Sequence, residues 1–159
     1  TGMALSTRAT KMLEKVGVAF DLHAYDYDPS AESIGLAAAA AIGADPGQVF
    51  KTLMVLADGR SACVIAPSSG EVSMKKAAAA LGAKSAAMMK PADAERLTGY
   101  RIGGISPFGQ MRQVPVVIDE TAILWDAIYI NGSQRGLQVR LTGEDARQAL
   151  DAKFADIAS

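Results

Sequence analysis

The chain has 159 residues, 50% of them hydrophobic, and a formal net charge of −1. This composition excludes a disordered chain, the length fits one domain with a sizeable core, and so small a charge leaves any nucleic-acid binding to a local basic patch. No apolar run approaches the roughly 20 residues that cross a bilayer, no secretory signal is visible, and the single cysteine excludes an internal disulfide, so we expect a cytoplasmic protein without membrane contact.

The first third of the chain alternates helix and strand patterns. Residues 1–2, before Met3, are expected to be a cloning remnant. Ser6 can cap a first helix that Gly17 ends, and the alternation of VAFDLHAY, residues 18–25, predicts a half-buried strand. The turn DPSAES then leads into an alanine-rich helix, GLAAAAAIG, which ADPGQ breaks.

The strongest hairpin signal follows, where the apolar runs VFKTLMVLA and RSACVIAP flank Asp58 and Gly59. Lys51 interrupts the first run, which has apolar residues on both faces and so predicts an interior strand. A lysine is costly there unless its amine reaches water or an anionic partner. Either the amine reaches solvent at the start of the strand, or Lys51 lies on a pocket floor and meets a phosphate or carbonyl oxygen.

The second half supplies further elements of both kinds. Ser73 and Pro91 each open a short helix, and VPVVID, AIYI and LQVRL predict three strands. Thr142 begins a final helix whose pattern extends through Phe154. This order predicts one α/β domain, residues 3–159, with a mixed, largely antiparallel sheet.

Familiar catalytic and cofactor motifs are scarce. The sequence has no GxxxxGK[ST] phosphate loop, and GGISPFG lacks the strand-to-helix context of a dinucleotide site, so we expect no nucleotide cofactor. One histidine and one cysteine exclude a cluster of such metal ligands, and we expect no metal. Cys63 fits a small core residue and His23 a hydrogen-bonded surface residue better than a nucleophile or a base. The glycosylation-like match at residues 131–133 is interpreted as a hairpin turn.

The segment TGYRIGGISPFGQ, residues 98–110, contains four glycines, one proline and no acidic residue. Glycine loses more backbone freedom on folding than other residues, so such a cluster weakens a fold unless the backbone bends sharply or approaches something closely. Two interpretations stay open. The glycines shape a tight loop closed by Pro107, or they let the backbone approach a substrate.

Five segments in order resemble the YbaK family of freestanding aminoacyl-tRNA deacylases, relatives of the editing domain inserted in bacterial prolyl-tRNA synthetases. They are VFKTL, MKKAAAALGAK, TGYRIGGISPFGQ, GSQRGLQV and LDAKFADIA. The resemblance covers nearly the whole chain. It implies a barrel-like sheet surrounded by helices, no cofactor, and removal of a wrongly attached amino acid from tRNA, chiefly cysteine from prolyl-tRNA. A separate editing step is useful because cysteine and proline are close in size, so the pocket of the synthetase discriminates poorly between them.

The resemblance also implies a site. Lys51 is the expected catalytic lysine, and the amides at Gly103 and Gly104 are expected to approach the ester carbonyl and the terminal adenosine. The residues expected to bind substrate are Tyr25, Ile34, Thr52, Ile105, Ser106, Pro107, Arg135 and Gln138. Ile34 stands where we expect an aromatic residue and Gln138 where we expect an acidic one, so both affect which amino acid is accepted.

The expected partners are the acceptor end of a mischarged tRNA and prolyl-tRNA synthetase, without DNA or membrane. The basic residues available for tRNA are Lys51, Lys75, Lys76, Lys84, Arg101, Arg112 and Arg135. The scarcity of acid–base residues favours cleavage in which the thiol of the cysteinyl ester attacks its own carbonyl, with attack by water assisted by the ribose hydroxyl as the other route. Two alternative functions remain open: a deacylase for another mischarged tRNA such as Ala-tRNA(Pro), and an inactive tRNA- or synthetase-binding module.

Overall fold

The computed structural model describes residues 6–159, so the expected cloning remnant and Met3 lie outside the described part. The helices within this range are α1 (Arg8–Val16), α2 (Ile34–Ile42), α3 (Met74–Ala80), α4 (Pro91–Thr98), a 3-10 helix (Glu120–Leu124) and α5 (Gly143–Leu150). The strands are β1 (Asp21–Ala24), β2 (Val49–Ala57), β3 (Arg60–Pro67), β4 (Ala86–Met88), β5 (Val116–Asp119), β6 (Ile128–Asn131), β7 (Leu137–Leu141) and β8 (Lys153–Ala155).

Helix ends follow the side-chain capping chemistry of the sequence. Ser73 caps α3 as predicted, by accepting a hydrogen bond from the N–H of Lys76 at 3.2 Å. The cap of α1 is Thr7 and not Ser6, because Thr7 and Thr10 exchange hydrogen bonds in a capping box. Gly17 ends α1 as predicted, and it does so in the left-handed conformation.

The predicted hairpin is confirmed. Asp58 and Gly59 have φ values of 49° and 79°, as a two-residue turn with positive φ at both positions requires. β2 and β3 then pair antiparallel from Phe50↔Pro67 to Ala57↔Arg60.

Among the described residues, eight strands form one mixed sheet. Its main path runs β1-β7-β6-β2-β3-β5-β8, and β4 also pairs with β2. Four of the pairings in this range are antiparallel and three are parallel. The predicted mixed α/β fold is confirmed.

Alternate residues of the central strands bury their side chains on opposite faces of the sheet. One face packs the largest hydrophobic cluster, which includes Phe50 and Met54 of β2 and Leu13 of α1. The other face packs Val55 against Ala77 of α3. The strands that carry the candidate site are therefore anchored from both sides.

The predicted final helix was wrong at its C-terminal end. α5 ends at Leu150 because Asp151 turns into the left-handed conformation, with φ 50°. Lys153–Ala155 then forms β8, parallel to β5. The sequence patterns also missed β4 and the 3-10 helix, both of five residues or fewer. No helix among the described residues combines the length and apolarity that crossing a membrane requires.

Candidate active site

A cavity of about 320 Å³ lies where one edge of β2 has a gap between neighbouring strands. β3 covers the opposite edge, whereas β6 pairs with residues 49–50 and β4 with residues 55–57. Backbone positions 51–53 on this edge therefore have no strand partner within the described part of the chain. Three parts of the chain close the space around these positions: the start of α2, the start of α4, and the glycine-rich segment 98–110, which we call the glycine segment.

Lys51 is the one charged residue among the described residues that line the cavity. Its Nζ donates a hydrogen bond of 2.7 Å to the carbonyl oxygen of Gly70, and no carboxylate in the described range pairs with it. Because an ammonium group has three N–H donors, the one bond that it donates to Gly70 leaves two donors for a ligand. The lysine therefore combines a half-buried stem with an amine at the cavity.

Neighbouring residues of the glycine segment have different surroundings. Gly103 has φ 88° and lines the cavity, while the N–H of Gly104 donates at 2.8 Å to the carbonyl of Arg101 within the same turn. Within residues 6–159, the N–H groups of Gly103 and Ile105 form no hydrogen bond. Those two N–H groups, unlike that of Gly104, have no protein acceptor in this range.

Three side chains hold this segment in place. The Nδ2 of Asn131 donates to the carbonyl of Gly103 at 3.1 Å, and the guanidinium of Arg135 donates to the carbonyl of Ile102 at 2.8 and 3.0 Å. Glu95 accepts from the N–H of Ile102 at 2.9 Å. Asn131, which the sequence suggested only as part of a hairpin turn, therefore also lines and positions the site. The sequence signal that could have revealed this role is the position of Asn131 at the end of a strand.

The structure brings some of the predicted residues together and separates others. Those lining the cavity are Ile34, Lys51, Thr52, Gly103, Ile105 and Gln138. Those lying outside its lining are Tyr25, Gly104, Ser106, Pro107 and Arg135. Ser106 is fully buried and accepts from the N–H of Phe108, so its hydroxyl shapes the loop.

Two oxygens of the cavity wall are buried without a hydrogen bond to any described residue: Thr52 Oγ1 and Gln138 Oε1. Gln138 is only 3% exposed. The Tyr25 hydroxyl is buried next to the Gln138 side chain. Burial raises the pKa of Tyr25, and the adjacent Gln138 side chain partly offsets that rise. Because these oxygen atoms have almost no accessible surface, they lie within the cavity wall and shape it without facing the open space.

The usual catalytic side chains lie elsewhere. His23 packs edge-on against Tyr129, with the ring centroids 5.2 Å apart, and Cys63 is buried in the sheet. Burial raises the pKa of the Cys63 thiol to about 12. In the described range, no three His, Cys, Asp or Glu side chains are grouped to hold a metal ion.

The comparison with protein families identifies the class that this fold and cavity represent. The model of the aminoacyl-tRNA editing domain matches residues 28–149. The chain belongs to this family, and the predicted resemblance to freestanding editing proteins is confirmed.

Particular relatives refine this placement. EbsC of Enterococcus faecalis, named for Cys-tRNA(Pro)/Cys-tRNA(Cys) deacylase activity, is 32% identical over 155 residues, which cover 95% of this chain and 92% of that protein. A proline–tRNA ligase of Acidithiobacillus ferrooxidans is 29% identical over 82 residues, which cover 52% of this chain and 14% of the ligase. The similarity to the ligase thus concerns a small part of that enzyme.

Solved structures share the fold across nearly the whole chain. A crystal structure described as a trans-editing enzyme for prolyl-tRNA synthetase aligns with a TM-score of 0.81 at 23% identity, covering 98% of this chain and 99% of that one. A hypothetical protein aligns with a TM-score of 0.84 at 21% identity, covering 96% and 100%.

Proposed function

We propose that this protein is a trans-editing aminoacyl-tRNA deacylase that removes cysteine from mischarged Cys-tRNA(Pro). The observation that carries the proposal is the cavity, whose described lining combines one lysine and two backbone N–H groups without a protein acceptor, and contains no carboxylate, histidine or cysteine. Family membership and the name of the Enterococcus relative support the same activity.

The cavity fits a small aminoacyl group. A few polar groups in a largely apolar pocket typically fix the orientation of a small ligand. The backbone of β2 at residues 51–53, which has no strand partner on this edge in the described range, can accept from the α-ammonium of the aminoacyl ester. Ile34 and Ile105 provide apolar wall for the short side chain.

Positive charge and backbone donors surround the place proposed for the ester carbonyl. When a nucleophile attacks, the carbonyl oxygen gains negative charge, and preorganised donors stabilise that charge more than they stabilise the ground state. We assign this role to the N–H groups of Gly103 and Ile105 together with the Lys51 ammonium. Gly104 keeps a role in the shape of the turn, since its own N–H is already engaged by Arg101.

The nucleophile in this proposal is the thiol of the substrate. Its sulfur attacks the carbonyl carbon, a C–S bond forms, and the ester C–O bond to the ribose breaks. The products are a four-membered thiolactone and tRNA with a free ribose hydroxyl, which takes up the proton that the thiol loses. A lining without a carboxylate or imidazole favours this route, because the reaction then requires positioning and charge stabilisation more than a protein base.

A panel of mischarged tRNAs tests the activity. Cys-tRNA(Pro), Ala-tRNA(Pro) and Ser-tRNA(Pro) are incubated with the protein, and the ester remaining is measured over time. We expect cysteine to be released fastest. Preference for alanine would make the protein an alanine-editing deacylase, and no turnover of any ester would make it a binding module. We also propose prolyl-tRNA synthetase as its partner and the cytoplasm as its compartment.

A further inference from the structure

A second depression, of about 440 Å³, lies on the other side of the glycine segment from the cavity. Its described lining, which we call the arginine groove, consists of Gly99, Tyr100, Arg101, Gly104, Ser133, Gln134 and Arg135. No acidic residue is among them. Gly103 lines the cavity and Gly104 lines the groove, so neighbouring residues, with Cα atoms about 3.8 Å apart, belong to the two sites.

The two arginines of the groove form no ion pair in the described range, and Glu95, a carboxylate that contacts the glycine segment, is bonded to the N–H of Ile102. Neither Arg101 nor Arg135 pairs with a carboxylate among residues 6–159, although Arg96, Arg140 and Arg147 do. Arg101 is exposed, and its side chain forms no hydrogen bond in that range. A net charge of −1 for the whole chain makes this local concentration of cations notable, since the overall field does not attract an anion.

Aromatic rings orient two of the guanidinium groups near the groove. The Arg8 guanidinium lies 5.2 Å from the ring centroid of Tyr100, and that of Arg135 lies 5.3 Å from the ring centroid of Tyr27. A guanidinium held against an aromatic face loses less freedom when it binds, and its planar fork matches the oxygens of a phosphate.

We propose that the arginine groove binds the phosphate backbone of the RNA acceptor stem while the cavity holds the esterified end. This inference rests on the proposed function, because a substrate whose ester lies beside Gly103 continues past the adjacent residues. An RNA strand presents regularly spaced phosphates and needs no base-specific contact to bind there. Contact with the groove fixes the register of the strand and so aids delivery of the ester to Lys51.

The test measures binding of an uncharged acceptor-stem minihelix by fluorescence anisotropy, between about 50 and 200 mM salt. Arg101→Gln removes one exposed charge without touching the hydrogen bonds that hold the loop. We expect weaker binding and a slope of log Kd against log salt that is smaller by about 1. Arg101→Lys keeps the charge, so it should restore the wild-type slope. The matched control is Arg60→Gln, since Arg60 is exposed at the hairpin tip and forms no ion pair among residues 6–159; this variant should bind as the wild type does.

Two results would overturn the groove assignment: an unchanged salt slope for Arg101→Gln, or an equal loss in Arg60→Gln. Deacylation of Cys-tRNA(Pro) by the wild type is measured alongside. If the wild type turns over the ester but Arg101→Gln leaves the salt slope unchanged, the groove does not bind RNA and the proposed deacylase activity stands. If the salt slope depends on Arg101 but no ester is turned over, the proposed deacylase activity is wrong. The groove is then the surface of an RNA-binding module.

Discussion

Lys51 lies near the start of β2 with a half-buried stem, and among the described residues its amine is bonded to one carbonyl oxygen, that of Gly70. This bond lies in an exposed setting, so the ammonium group keeps donors for a further partner. A site that must attract an ester or a phosphate benefits from this arrangement, because the ligand supplies the missing negative partner. A cation at the cavity with no carboxylate partner in the described range is thus consistent with a functional role for the side chain.

Replacing Lys51 with alanine should lower deacylation about 10²–10³-fold, the usual effect of removing one electrostatic group from a transition state. The fold should persist, because the side chain lies at the cavity wall and not in the main cluster. Single-turnover rates and thermal unfolding of Lys51→Ala check this, with Lys75→Ala on the exposed face of α3 as the control. Wild-type turnover by a folded Lys51→Ala protein contradicts the assignment.

Cys63 should be dispensable for catalysis. Burial raises the pKa of its thiol to about 12, so almost no thiolate exists at neutral pH, and the residue is fully buried away from the cavity. Cys63→Ala should therefore deacylate Cys-tRNA(Pro) at the wild-type rate. A tenfold loss of turnover with an intact fold would show that the protein thiol takes part.

The same thiol should affect stability in alkali. Burial raises its pKa from 9.0 to about 12, so the unfolded chain binds fewer protons than the native protein between these pH values. The stabilisation is fully present below pH 9 and decreases as pH rises, by up to about 1.4 kcal/mol per pH unit. Urea unfolding should show that the free energy of unfolding decreases less between pH 8 and pH 10 in Cys63→Ala than in the wild type. An equal decrease in both proteins would contradict this contribution of the thiol.

Among the elements, the glycine segment is the one on which the site most depends. Side chains from α4, from the end of β6 and from the turn before β7 hold it through Glu95, Asn131 and Arg135. Such a loop presents its N–H groups in a fixed orientation before the substrate arrives, which is what stabilisation of a developing oxyanion requires.

Gly103→Ala should weaken both the loop and the reaction. Gly103 has φ 88°, and a Cβ atom would lie 2.5 Å from the Tyr27 hydroxyl, so we expect a cost of about 1–2 kcal/mol and a large loss of turnover. Gly59→Ala is the matched control, since Gly59 also has positive φ but open space around it at the hairpin tip. It should lose stability and keep its activity. If Gly103→Ala stays fully active, the loop is only architectural.

Prediction from the sequence succeeded where signals were local. The hairpin follows from Asp58 and Gly59 alone, and the glycine segment stood out by composition. β8 was missed because it pairs with β5, more than 30 residues earlier, and continues a helical pattern in the sequence. The hydrogen bond from Asn131 to Gly103 joins residues that are 28 positions apart in the sequence. Such long-range contacts decide which way Gly104 and Pro107 face, so local patterns could not predict that these two residues lie outside the cavity lining.

At the scale of the whole molecule, sheet order assembles the cavity. β7, β6 and β2 are neighbours, so Gln138, Asn131 and Lys51 come from three adjacent strands. The C-terminal segment is fastened separately: the buried carboxylate of Asp119 accepts from the N–H of Ile157 at 3.0 Å and from the N–H and hydroxyl of Thr121.

Asp119→Ala should lower the free energy of unfolding by about 2–4 kcal/mol, because it leaves buried donors without an acceptor. The exposed Asp126 forms no hydrogen bond within the described range, and Asp126→Ala should change stability little. Urea unfolding compares the two variants. Turnover per folded Asp119→Ala molecule should match the wild type; equal stability of both variants would contradict the fastening role.

The most direct test of the central claim compares Cys-tRNA(Pro) with the same tRNA carrying S-methylcysteine. Methylation removes the nucleophile and changes the ester little. A thiol provides some thiolate near neutral pH and is a far better nucleophile than a hydroxyl, so the cysteinyl ester should also be cleaved much faster than the seryl ester. We predict rapid release of cysteine and almost no release of S-methylcysteine. Equal rates for the two esters would contradict the thiol mechanism and show that water is the nucleophile.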